Sequence, residues 1–254
     1  MLRLASYNVH KCVGMDRLRR PERIVAVLRA LDADVVALQE VDHRLGARPA
    51  ALPYDLIISH TDLSPLPYAL GPQSLGWHGQ TILVRQGLAV SAIRRLALPG
   101  LEPRGAILAE IETDAGPIRV VGAHLGLIRR YRLMQFAAIR AAISRRTPMA
   151  TAILGDFNDW SRRGSAAALG PDYRMHSPGA SFPAPRPLGA LDRIAVGPGL
   201  HLHDAGVHAA APATIASDHL PIWAEVRIDG PESTALQGRG LGASMAATTQ
   251  ADPP

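Results

Sequence analysis

One cysteine, Cys12, stands in the whole 254-residue chain, so no intramolecular disulfide can form and a reducing compartment is expected. Lysine is as scarce: Lys11 is the one lysine among 27 basic residues, the rest being arginine. With abundant Ala, Gly and Pro, that skew reads as codon bias, so the net charge of +5 does not by itself imply a polyanionic partner. No run of five or more like charges occurs, and stretches such as Arg17-Leu18-Arg19-Arg20 read as solvated faces. Aromatics are few, three Trp, five Tyr and three Phe, too sparse for an evident platform on which a nucleic-acid strand would stack. No apolar run approaches the roughly 18 residues of a membrane span. Residues 1–9 enter a strand-like pattern with no secretory leader, so a cytoplasmic location is expected. What remains is 47% apolar and 19% charged, the makeup of an ordinary globular chain with a substantial core.

The most informative stretch is Thr151-Ala152-Ile153-Leu154-Gly155-Asp156-Phe157-Asn158-Asp159-Trp160. Small and apolar residues predict a buried strand that Gly155 ends with a tight turn. Asp156 and Asn158 alternate and can point the same way at its exit, suited to a hard cation and a phosphate oxygen. The same pair also suits an Asx turn that serves only the backbone.

Similar strand ends recur. Leu2 to His10 opens as a strand with Asn8 near its end, and Pro21-Glu22-Arg23 starts a helix with Ile24, Val27, Leu28 and Leu31 inward. Val35 to Gln39 is a strand that delivers Glu40, with Asp42 and His43 beyond. Tyr54 to Ile58 is read as a strand and residues 59–78 as a loop over the site. Strands are expected at Thr81–Val84 and Val90–Leu98. A hairpin should join Arg104–Ile111 to Ile118–Ala123, ending at His124. Leu127 to Arg146 reads as a helix with Leu127, Tyr131, Met134, Ala138 and Ala142 inward, and Arg132 and Gln135 sharing a face. Residues 161–190 read as mostly loop, leading into Leu191–Val196 with Asp192 near its start; Ser217-Asp218-His219 precedes a last strand, Leu220 to Val226. From Asp229 the composition predicts a disordered tail, so residues 1–228 are expected to form one catalytic domain followed by residues 229–254.

Ligand sites of open α/β sheets lie outside strand ends, which groups Asn8, Glu40, His124, Asp156, Asn158, Asp192, Asp218 and His219. Four of these are carboxylates, and two unit charges 4 Å apart repel by roughly 4 kcal/mol at an effective dielectric of about 20. A shared cleft would therefore need a cation or shared protons. Hard oxygen donors without thiolates point to Mg2+ or Mn2+ rather than structural zinc. Asp192 as a turn residue and His124 as a packed strand-end histidine are the plain alternatives. His43, His60, His78, His176, His201, His203 and His208 read as surface or loop residues, and Cys12 as a packing residue.

Tyr7-Asn8-Val9-His10, Leu38-Gln39-Glu40-Val41-Asp42, Ala123-His124-Leu125, Gly155-Asp156-Phe157-Asn158, Leu191-Asp192-Arg193-Ile194 and Ser217-Asp218-His219-Leu220-Pro221 occur in this order across residues 2–226. The series resembles the endonuclease/exonuclease/phosphatase (deoxyribonuclease I-like) superfamily, in particular its small bacterial members. Each motif is weak alone; six in order make a strong signal. The resemblance implies a four-layer α/β sandwich, with two mixed β-sheets packed face to face and helices outside. It implies Glu40 as principal metal ligand with Asn8 and Asp218 assisting, and Asp156 orienting or deprotonating the attacking water. Asn158 would hold the scissile phosphate, and His219, oriented by Asp192, would stabilise developing charge. His124 would protonate the leaving oxygen, and Arg104 would add a phosphate contact. His10 departs from the acidic or amide residue many nuclease members carry, and Gln80 from a common asparagine.

These readings converge on a metal-dependent hydrolase of phosphate esters, most simply a monomeric phosphodiesterase acting on a phospholipid, a small phosphodiester or nucleic acid. A DNA or RNA nuclease is the alternative. A non-catalytic binding module is a third reading, opposed by the presence of the whole residue set.

Overall fold

The structure, a computed structural model, describes residues 1–161 and 166–229. In chain order its strands and helices are β1 (Leu2–Asn8), α1 (Pro21–Leu31), β2 (Val35–Gln39), α2 (Tyr54–His60), β3 (Leu63–Pro65) and β4 (Thr81–Arg85). Then come β5 (Val90–Leu98), β6 (Arg104–Ile111), β7 (Ile118–His124), α3 (Arg129–Ser144) and β8 (Ala150–Asp156). The last are β9 (Arg174–His176), β10 (Asp192–Val196), β11 (Leu200–Val207), α4 (Ala213–Ala216) and β12 (Ile222–Ile228). Short 3-10 turns lie at His10–Cys12 and Ala166–Leu169.

The strands form two six-stranded mixed sheets, ordered β11-β12-β1-β2-β4-β3 and β5-β6-β7-β8-β10-β9. Each has one parallel pair near its middle, β1 with β2 and β7 with β8, and antiparallel neighbours elsewhere. Alternation of side chains along the strands builds the layers. Leu4, Val35, Ala37 and Ile82 of the first sheet meet Ile107, Val120, Leu154 and Ile194 of the second in one buried cluster. On the outer faces, Val36 and Leu38 pack with Ile24, Val27 and Leu28 of α1, while Leu108, Val121 and Ile153 pack with Phe136 and Ile139 of α3. This is the expected four-layer α/β sandwich. Gly122 lies where an added Cβ would approach the Ala37 Cβ at 3.2 Å, so small residues set how closely the sheets meet.

Several local expectations are corrected. Tyr54 to Ile58 belongs to α2, not a strand: Ile57 is fully buried while Tyr54 and Ile58 face outward, a helical rather than alternating pattern after Pro53. The segment 59–78 contains edge strand β3, residues 161–190 contain β9, and β11 pairs with β12 in a stretch that had no assignment. The last strand starts at Ile222. Helix α3 spans Arg129–Ser144 rather than Leu127 to Arg146, and its buried face is Arg132, Gln135, Phe136, Ile139 and Ile143. Leu127 and Met134, expected inward, are 64% and 43% exposed. Phe136 fills the groove beside Phe157 instead, with ring centres 5.1 Å apart. Arg132 and Gln135 do share the buried face, where Arg132 donates to the carbonyls of Gly126 and Leu127, and Gln135 accepts from the Gly126 N–H. Cys12 packs in the first core, where burial pushes its thiol up to about 12. The expected tail beyond Asp229 lies outside the described residues.

Candidate active site

The two parallel pairs bring four strand ends to one edge of the sandwich. Asn8 pairs with Gln39 at the ends of β1 and β2, which delivers Glu40; His124 pairs with Asp156 at the ends of β7 and β8, and Asp192 pairs with Asp156 from the other side. His219 arrives on the segment between α4 and β12, tied down where Ser217 Oγ donates to the Asn8 carbonyl at 2.7 Å. The first core strand of each sheet therefore contributes to one cluster.

Asp156 is its centre. Its Oδ1 accepts the Asn158 backbone N–H at 2.9 Å and its Oδ2 accepts from Asn8 Nδ2 at 3.1 Å. His124 Nε2 lies 3.5 Å and His219 Nε2 3.7 Å from the same Oδ2. The other nitrogen of His219, Nδ1, is 2.8 Å from Asp192 Oδ2, which also accepts from Ser181 Oγ at 2.6 Å. The Phe182 ring lies 4.9 Å from the His219 ring and covers it. Asn158 has φ of +51° and donates from Nδ2 to the Leu125 carbonyl at 2.9 Å, a strained turn held by its own side chain.

Charges in this cluster are mutually dependent. Burial, and then the Asp192 charge, push the Asp156 carboxyl up to about 6. Burial alone would lower His219, but the charge and hydrogen bond of Asp192, followed by Asp156, override it and hold the imidazolium up to about 10. His124 is driven the other way, well below its ordinary value, by burial and then by the Arg104 charge. At neutral pH the set is thus an ionised Asp156 between a charged His219 and a neutral His124.

Glu40 opens onto a neighbouring cavity of about 380 Å³ that is also lined by Lys11, Arg104 and His124. The Glu40 carboxylate is in close contact with the Lys11 ammonium, and Arg44 Nη2 lies 3.7 Å away. Burial opposes its charge, yet Lys11 and Arg44 hold its carboxyl below the usual range. Arg104 lines the cavity while paired to Glu102 at 2.8 Å. The Asp218 carboxylate lies 3.7 Å from His10 Nδ1, and the His10 charge acts on Glu40 as well.

Among the described residues, the carboxylate and imidazole groups close enough to share an ion are Asp156, Asp192 and His219, within 4.8 Å of one another. With His219 protonated, the imidazolium offsets one of the two carboxylate charges in that trio. Glu40 offers an oxygen donor suited to a hard cation, and its charge is at present met by Lys11 and Arg44, which an ion would have to displace. Asp42, beyond Glu40, accepts the N–H groups of Leu75 and Gly76 and ties two loops together.

Ser181, Ser217 and Phe182 were missing from the sequence-derived set. They sit in Gly/Pro-rich or short segments with no periodicity, and only the Ser-Asp-His run hinted at one of them. His78, expected at the surface or in a loop, lines the cavity.

The Asp192–His219 pair has a measurable signature. His219 is expected to titrate near 10 by NMR, and to fall in Asp192→Asn, because burial remains while the two largest influences that raise it are lost. A folded-state value raised above the unfolded one stabilises the protein fully below 6.5 and loses that contribution as pH rises through about 10. Urea stability of the wild type should therefore fall between about pH 7 and 8.5, below the ordinary thiol range, and the slope should flatten in Asp192→Asn. An unchanged slope would remove the charged-histidine assignment.

No described helix is long and apolar enough to cross a membrane. No curated relative matches the chain in sequence. Solved structures do match. A protein of the endonuclease/exonuclease/phosphatase family from Bacteroides thetaiotaomicron is 17% identical, with 90% of this chain and 98% of that one covered at a TM-score of 0.73. The mannosyl-6-phosphatase of Bacteroides thetaiotaomicron is 17% identical, over 89% of this chain and 99% of that one, with a TM-score of 0.71. The human Nocturnin catalytic domain, solved with a bound sulfate anion, is 18% identical over 90% of this chain and 94% of that one, with a TM-score of 0.65. At these identities the likeness establishes the fold. The profile of the Endonuclease/Exonuclease/phosphatase family matches residues 5–219, and with the two-sheet sandwich and its strand-end cluster, the chain belongs to that family.

Proposed function

We propose that residues 1–228 form a divalent-metal-dependent phosphodiesterase that hydrolyses its ester by direct attack of water. The observation that carries this reading is the single Asp156 carboxylate oxygen standing 3.5 Å from His124 Nε2 and 3.7 Å from His219 Nε2, two histidines whose surroundings push their protonation in opposite directions. Hydrolysis of a phosphodiester needs a base for water, a positive group for the equatorial oxygens and an acid for the departing oxygen.

Asp156 removes a proton from water as the new P–O bond forms. The Asn8 and Asn158 hydrogen bonds fix its carboxylate plane for that task. His219, fixed in orientation by Asp192, faces the developing negative charge as an imidazolium. Asn158 donates to a non-bridging oxygen with its second amide N–H, and Arg104 adds a contact from the cavity wall. His124 is neutral in the free site, first through burial and then through the Arg104 charge; an anionic substrate offsets the Arg104 and Lys11 charges, and His124 takes up a proton from solvent as substrate binds. It then delivers a proton to the leaving oxygen as the old P–O bond breaks. Glu40, with Asn8 and Asp218 assisting, would hold Mg2+ or Mn2+; Asp218 now lies 3.7 Å from His10 Nδ1. Such an ion, when bound, supplies Lewis-acid neutralisation of the phosphate oxygens. Lys11 must give up its contact with Glu40 for this to happen.

The confined cavity favours a small or headgroup-sized diester over a long duplex tract. The test is hydrolysis of bis-p-nitrophenyl phosphate against p-nitrophenyl phosphate, with Mg2+, Mn2+ or EDTA. Diester turnover that EDTA abolishes and either metal restores is expected. Turnover of the monoester alone, or turnover indifferent to EDTA, would overturn the reading.

A further inference from the structure

Among the described residues, four of the nine non-glycine positions with left-handed φ, Lys11, Glu40, Arg48 and His78, line one cavity. Of the non-glycine residues with left-handed φ, His10, Lys11, Cys12, Glu40 and Asn158 belong to the segments that build the catalytic edge. Arg48 (φ +49°) and His78 (φ +50°) are strained in the same way, yet neither falls in any of the motifs that carry the catalytic residues. Such conformations persist only where the surroundings over-determine them, which marks the pair as held for a purpose.

The surroundings do hold them. Trp77 and Gln80 close a bridge on either side of His78, and the Trp77 ring covers Gly105, where an added Cβ would come within 2.3 Å of it. The His78 and Trp77 rings meet edge to face at 4.3 Å. Arg48 is anchored by its own carbonyl, which accepts from Ser74 Oγ at 2.8 Å. Its guanidinium Nη1 lies 3.3 Å from His78 Nδ1, and both side chains line the cavity that reaches Glu40 and His124. Burial and the Arg48 charge keep His78 neutral, so it can accept from Arg48 and orient it. Among the described residues Arg48 has no carboxylate partner within 4.0 Å, unlike Arg104, which is paired to Glu102. Arg44 lines the same space. A guanidinium has five donors in a planar fork, and the one side-chain hydrogen-bond partner of this one is His78; the Asp42 carboxylate feels its charge from the same cavity wall without forming an ion pair within 4.0 Å.

We infer that Arg48, oriented by His78 and assisted by Arg44, forms a subsite for a second phosphoryl group on the substrate, next to the ester that is cleaved. This rests on the phosphodiesterase reading for the cleaved bond but not for the binding. The substrate class is then a compact diester that also bears a phosphate monoester. Arg48 here binds substrate, and His78 is a positioning residue.

The experiment compares thymidine 5′-(p-nitrophenyl phosphate) with the same compound carrying a 3′-phosphate. A second, metal-free arm in EDTA compares binding of thymidine 5′-monophosphate and thymidine 3′,5′-bisphosphate by calorimetry. The extra phosphate is expected to raise kcat/KM, through KM, and to tighten binding by about tenfold or more, the worth of one or two charge-assisted hydrogen bonds. Arg48→Gln should bring both ratios close to one and His78→Gln should narrow them, while Arg145→Gln, an exposed arginine at the end of α3, should leave them intact. Equal ratios in the wild type, or ratios that survive Arg48→Gln, would overturn the subsite while leaving diester hydrolysis standing. Preferential bisphosphate binding lost in Arg48→Gln, with neither ester hydrolysed, would support the subsite and count against the phosphodiesterase reading.

Discussion

Asp156→Asn is expected to lower kcat by about a thousandfold, the middle of the range for loss of a positioned general base, with little change in KM. The amide is nearly isosteric, so the loss is chemical. Asp156 now accepts at both oxygens, from the Asn158 N–H and from Asn8 Nδ2. An asparagine can keep only one of these acceptors. If its oxygen faces Asn158, its NH2 confronts the NH2 of Asn8 and the imidazolium of His219, 3.7 Å from the present Oδ2. The proton acceptor for water is gone in either orientation. The fold should survive, because the pocket keeps its volume and Asp156 is itself costly there, its carboxyl already pushed up to about 6. Stopped-time assays on bis-p-nitrophenyl phosphate, with a thermal melt alongside, check both halves. Wild-type turnover by this variant would overturn the mechanism.

Gly155→Ala acts one residue earlier and on the fold itself. Gly155 has φ of +153°, and a Cβ there would stand 1.8 Å from the carbonyl oxygen of Ala123. That oxygen is backbone in β7, the central parallel partner of β8, so neither side can yield without opening the ladder. The register at stake is the one that sets His124 beside Asp156. A loss of about 4 kcal/mol or more is expected, a large share of the roughly 5–15 kcal/mol that holds a typical domain. The readouts are soluble yield and the urea midpoint. Gly71→Ala is the matched control, since nothing lies within 4 Å of its added Cβ and its backbone is not left-handed; it should change stability by no more than about 0.5 kcal/mol. A stable Gly155→Ala protein would mean that the β7–β8 pairing differs from the one described.

The two substitutions show where the sequence was readable. Buried strands such as Val35–Gln39 and Ala150–Asp156 announce themselves because a strand covered on both faces must be apolar throughout, and a polar residue then stands out at its exit. That contrast is why Glu40, His124 and Asp156 could be picked out by position. Segments lacking such contrast misled. Tyr54-Asp55-Leu56-Ile57-Ile58 has the composition of a strand, but one buried side chain, Ile57, is all the surroundings require, and a short helix supplies it. Around α3, the apolar residues Leu127, which precedes the helix, and Met134 point to the wrong face, since Arg132 and Gln135 are buried for their hydrogen bonds to the Gly126 turn.

Composition, strand pattern and the order of six short motifs were enough to determine the fold class, the family and the residues that gather at one edge. Those properties are written locally, in the side chains of single strands and the turns that end them. The tertiary structure decided what local pattern cannot encode: that Asp156 sits between two histidines, that Lys11 meets Glu40, that Ser181 steadies Asp192, and that Arg48 and His78 face the same cavity. These contacts join separate segments of the chain, and those of Asp156 with His124 and of Lys11 with Glu40 depend on the register of the two parallel strand pairs. The protonation states that give the site its chemistry follow from burial, because desolvation and neighbouring charge exist only once the two sheets have packed.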